Sequence, residues 1–91
     1  MKYPSNLDMS RPKIAIVDSN SLVILGLKQL LQNVMPIMTV ESFSSFQEFE
    51  KAQVDSFYHY FVSQVIVLEN RQFFSQCIHK TIVLTITKDP N

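Results

Sequence analysis

Side chains able to do chemistry are sparse in this chain, and the best placed is Asp18, which closes the apolar run Ile14-Ala15-Ile16-Val17. A short run of this kind reads as a strand buried on both faces of a parallel sheet. A carboxylate at the carboxyl end of such a strand lies beside the crevice where doubly wound sheets bind ligands. Cation binding is the chemistry open to it, but Mg²⁺ is usually held by one or two carboxylates together with phosphate oxygens. No metal or cofactor is therefore expected, and a capping or structural role for Asp18 is. His59 has no second histidine or cysteine at metal-ligand spacing, so packing accounts for it. Cys77 and His79 lack a third, orienting group, and Ser63 lacks the Gly-x-Ser-x-Gly elbow of a hydrolase nucleophile. The only glycine, Gly26, falls inside a predicted helix, so no Gly-rich phosphate loop is present.

The elements that must position these residues follow from pattern. After the first strand, Ser19, Asn20 and Ser21 are candidate N-caps for a helix over 22–33, which Pro36 prevents from continuing beyond Met35. At a hundred degrees per residue, Val23, Leu27, Leu30, Leu31 and Val34 form one stripe and Leu25 falls outside it. A second strand is predicted over 37–43, followed by a helix capped by Ser44 with Gln47 or by Ser45 with Glu48, and anchored by Phe46 and Phe49. The aromatic run Phe57-Tyr58-His59-Tyr60-Phe61-Val62 is the third strand. Val65 to Leu68 reads as an extension of that strand or a separate extended piece, before a short helix carrying Phe73, Phe74 and Cys77. Residues 80–87, around Ile82, Leu84 and Ile86, are the fourth strand. This β-α-β-α-β-α-β order predicts an α/β fold, an open parallel sheet with helices on both faces. Residues 1–12, polar and bearing Pro4 and Pro12, are expected to be a flexible lead-in to a single domain over 13–91.

Composition narrows the partners. Lysine plus arginine and aspartate plus glutamate each total 8 and no basic cluster occurs, so direct contact with nucleic acid is not expected. No apolar run approaches the roughly 18 residues of a membrane span, and the single cysteine points to a cytoplasmic setting.

The stretch from Ile16 to Leu31, with Asp18-Ser19-Asn20-Ser21, Leu22-Val23 and Gly26-Leu27, resembles the opening of response-regulator receiver domains of helix-turn-helix transcription regulators. The resemblance covers residues 13–87 by pattern and is specific over 14–31 and 81–85. It implies a flavodoxin-like fold and a place in two-component signal transduction. In that family two adjacent acids hold Mg²⁺; here Asp18 keeps the first position and Ser19 replaces the second. Aligning Tyr60-Phe61-Val62 with the family's third strand puts Ser63 at the phosphoacceptor position, while a second register puts Glu69 there after Val65–Leu68. A serine cannot replace a carboxylate that must form a high-energy acyl phosphate. Thr85 matches the family's phosphate-sensing hydroxyl, and the bulky Ile86 follows where a small residue is usual, crowding the phosphate pocket. The family pattern continues past Thr87 through helix, strand and helix, which implies an incomplete receiver from a longer regulator.

What the resemblance implies is a degenerate receiver, not an enzyme, that regulates an output domain through protein contacts. The apolar Ile24 and Leu25, where related receivers carry charges, and the apolar edge Ile82, Leu84 and Ile86 are the expected interface, with a homodimer or strand exchange at that edge. Two rivals are a working phosphoreceiver with Asp55 or Asp18 as unusual acceptor, and a small flavodoxin-like cofactor-binding domain.

Overall fold

The structure is a computed structural model, and it describes residues 12–85. Strand β1 (Lys13–Val17) leads into helix α1 (Ser21–Val34), and strand β2 (Thr39–Phe43) into helix α2 (Phe46–Lys51). A 3-10 turn over Val54–Ser56 precedes strand β3 (Phe57–Ser63), which is followed by two short helices, α3 (Gln64–Glu69) and α4 (Arg71–Ser75). A second 3-10 turn, Ile78–Lys80, delivers the chain to strand β4 (Thr81–Leu84). All strand pairings are parallel, as the β-α alternation predicts, and the order β2-β1-β3-β4 is that of a flavodoxin-like open sheet. Ile86 and Thr87, expected in the last strand, and residues 1–11 of the lead-in lie outside the described residues.

Local chemistry explains the helix starts. Of the three candidate caps of α1, Asn20 takes the role: its Oδ1 accepts the N–H groups of Leu22 at 2.9 Å and Val23 at 3.4 Å. The Ser45–Glu48 pair caps α2, the Glu48 N–H donating to Ser45 Oγ at 3.2 Å. Glu48 Oε1 reaches back to accept the Ser44 N–H at 3.1 Å, one residue beyond the usual capping-box target, the N–H of the N-cap Ser45.

Two clusters sandwich the sheet. On one face Ile14, Ile16 and Val40 pack beneath Leu31 of α1, with Ile24, Leu27, Met35, Met38 and Phe61 around them. On the other, Ala15, Val17, Phe57, Tyr60 and Val62 meet Phe49 of α2, Ile66 of α3 and Phe74 of α4. Phe49 is fully buried amid aromatic rings, the nearest being Tyr60 at 4.9 Å and Phe43 at 5.6 Å between centroids, both edge-on.

Three expectations need correction. The run Val65–Leu68 is helical, not extended: Ser63 Oγ accepts the Ile66 N–H at 3.2 Å and Ile66 is buried against the sheet. The Asn70 side chain closes the far end by donating from Nδ2 to the Ile66 carbonyl at 2.9 Å. Capping plus tertiary burial thus overrides a strand-preferring run. The inward stripe of α1 runs through the partly buried Ile24 and Leu27 and the buried Leu31, continued by the C-cap Met35, whereas Leu30 and Val34 are largely exposed. Ile24, expected at a partner interface, therefore packs into the core cluster because it falls on the same side of the helix as Leu31.

Candidate functional site

In a doubly wound sheet the ligand crevice opens at the carboxyl ends of the strands, where successive connections leave in opposite directions. Here that point lies between β1 and β3, since α1 crosses one face and α3 the other. A cleft of about 630 Å³ occupies it. Asp18, Ser19 and Asn20 line it from the end of β1, Ser63, Gln64 and Val65 from the end of β3, and Leu84 and Thr85 from β4. The wall is Val23, Gly26, Leu27 and Leu30 of α1, so the cleft is polar at the strand ends and apolar along the helix.

Asp18 is the one charged side chain buried among the described residues, only 7% exposed. Its Oδ1 accepts the Asn20 N–H at 2.8 Å, and its own N–H donates to the Phe43 carbonyl at 3.1 Å. These two bonds tie the end of β1 to the entry of α1 and to β2. The structural role expected of Asp18 is thus present. Ser19 beside it is exposed.

Ser63 ends β3 one position beyond the Val17–Val62 pair, beside Asp18 at the end of the neighbouring strand, and its hydroxyl is engaged as the cap of α3. The strand end is therefore Ser63, and the register that puts Glu69 at the acceptor position fails. Once Val65–Leu68 is helical, Glu69 sits exposed at the carboxyl end of α3 and is not among the residues lining the cleft. Asp55, the other residue considered as an unusual acceptor, does not line the cleft. It lies exposed in the 3-10 turn before β3, at the opposite end of that strand. Thr85 lines the cleft just after β4 and is exposed.

Among the described residues no group of three or more His, Cys, Asp or Glu side chains is gathered as a metal site. The ion pair they contain, Lys13 to Glu41 at 3.4 Å, joins the neighbouring strands β1 and β2 and takes no part in the cleft. Gln64 and Val65 are site residues that pattern reading missed, because their position depends on α3.

The expected interface residues divide. Leu25 is 66% exposed, on the flank of α1 away from the cleft. Ile82 is 40% exposed and Leu84 half-buried on β4, one of the two edge strands among the described residues. Ile86 lies outside the described residues. No described helix is long and apolar enough to cross a membrane.

What this arrangement can do is bind through one carboxylate, hydroxyls, an amide and an apolar wall. It does not assemble the carboxylate cluster needed for Mg²⁺-assisted phosphoryl transfer. Comparison of the chain with protein-family models, curated proteins and solved structures finds no match.

Proposed function

We propose that this chain is an atypical receiver-like signalling module, independent of phosphorylation, which regulates an output domain through protein contacts in the cytoplasm. The observation that carries this is the pair of strand ends at the cleft: beside Asp18 stands a serine whose hydroxyl is already engaged in capping α3. A flavodoxin-like sheet that keeps Asp18 but has Ser19 in place of the second acid and Ser63 in place of the acceptor fits the layout of a receiver stripped of most of the carboxylates of its reaction. The cleft volume also suits a small cofactor, the second reading, although the chain has no Gly-rich loop to cradle a phosphate.

An amide NMR titration with Mg²⁺ and beryllofluoride, which imitates an aspartyl phosphate, tests the proposal. No saturable shift at millimolar concentration is the expected result. Shifts converging on Asp18, Ser63 and Thr85 would mean that a phosphate site operates and the module reading is wrong.

Contacts between copies are part of the same proposal. β4 is an edge strand whose four residues, Thr81 to Leu84, carry no charge to deter pairing. Light scattering at high micromolar concentration is expected to give a dimer mass. A strict monomer there removes edge pairing from the proposal.

A further inference from the structure

We infer that the trough between α1 and the half of the sheet that no described element covers receives an amphipathic helix of a partner protein, one that carries a basic residue at the end lying over Asp18. This rests on the interaction-module reading and names the partner chemistry. α1 packs over β1 and β2, on the face formed by Ile14, Ile16 and Val40. On the same face β3 and β4 present Phe61, Ser63, Ile82 and Leu84, since Phe61 is paired with Ile82 and Ser63 with Leu84 in the parallel register.

Shape argues for a helix. Two neighbouring strands span about 10 Å, the diameter of one helix with its side chains. The side wall is the flank of α1 made by Val23, Gly26, Leu27 and Leu30, and Leu30 is 57% exposed. Gly26 sits in mid-helix, and a Cβ added there would meet nothing within 4 Å. The close approach that a glycine permits is therefore not used by any described part of this chain.

Charge argues for the basic end. The Asp18 carboxylate lines the polar end of the trough, is buried, and has no cationic partner among the described residues. A lysine or arginine reaching it gains a charge-assisted hydrogen bond in a partly desolvated site. The apolar body of the same helix covers Leu30, Ile82 and Leu84.

The test uses the full chain and two synthetic 14-residue peptides with leucines at i, i+3, i+4 and i+7, identical except for arginine or glutamate at one end. Amide NMR with the arginine peptide is expected to give saturable shifts at Val23, Gly26, Leu30, Ser63 and Leu84, with the glutamate peptide at least about tenfold weaker. In Asp18→Asn that ratio falls towards one. Gly26→Leu fills the trough and abolishes binding, while its amide spectrum stays that of the folded chain. Failure of both peptides to bind at millimolar concentration overturns the inference, as does binding indifferent to both substitutions. Concentration-dependent shifts in the trough without peptide, which the peptide does not displace, also overturn it and assign the trough to a second copy. The beryllofluoride titration separates the two levels: if it is silent and the peptides fail, the module reading stands and only this partner is wrong.

Discussion

Phe49→Ala is expected to destabilise the protein by about 3–5 kcal/mol, more than any other single truncation of a side chain discussed here. Phe49 has no exposed surface and its ring is the hub of the larger cluster, edge-on to Tyr60 and Phe43 and stacked at 6.4 Å on Phe74. Alanine removes both the transferred apolar area and the edge-to-face contacts, and α2 holds few other buried side chains with which to refill the space. A domain of this size has a total stability on the order of 5–10 kcal/mol, so the variant loses a large share of it. Thermal denaturation followed by circular dichroism should show Tm lowered by roughly 20 °C. Leu25→Ala is the control, with an expected change within about 0.5 kcal/mol because the side chain is 66% exposed. A Phe49→Ala variant melting within a few degrees of the parent would mean that α2 does not dock on the sheet as described.

The same cluster shows what was legible in the sequence. Each aromatic residue of the Phe57–Val62 run and the Phe46/Phe49 pair could be assigned to an element, because a strand preference and a capping box are local signals. The parallel pairing of the strands followed from the length of the connections, whereas the order β2-β1-β3-β4 is set by which face each helix covers. Val65–Leu68 misled because Val, Ile, Val and Leu favour a strand locally. What makes them helical is the Ser63 cap together with a burial site for Ile66 that exists only once β3 and α2 are in place.

The buried face of α1 differs from the expected stripe for a different reason. Leu22, Val23, Ile24, Leu25, Leu27, Leu30, Leu31 and Val34 surround most of the helix circumference, so period alone does not choose a buried direction. The sheet makes that choice, burying Leu31 and leaving Leu22, Leu25, Leu30 and Val34 exposed. At the site, Asp18 was recognisable because an acid ending a buried strand is a local pattern. The commitment of Ser63 to capping and the arrival of Gln64 and Val65 were not, since both depend on α3.

Tyr60 carries the second large expectation, a loss of stability in strong alkali. Its ring is fully buried and its hydroxyl donates to the Val54 carbonyl at 2.7 Å, holding the 3-10 turn against the start of β3. Burial, with smaller contributions from Cys77 and Asp55, raises its pKa from 10.0 to about 12. The folded state thus holds the phenolic proton more tightly than the unfolded chain does. The corresponding stability is fully present below pH 10 and is lost as pH rises from 10 through 12. A shift of this size corresponds to about 2–3 kcal/mol. Urea denaturation at several pH values between 8 and 12 should therefore show a steep decline in the parent protein. Tyr60→Phe cannot ionise and loses that contribution to the slope. At neutral pH it is less stable by about 1 kcal/mol, because the Val54 carbonyl loses its donor. Parallel pH profiles for the two proteins would show that Tyr60 ionises as freely in the folded chain as in the unfolded one, and that the hydroxyl is not held beneath the turn.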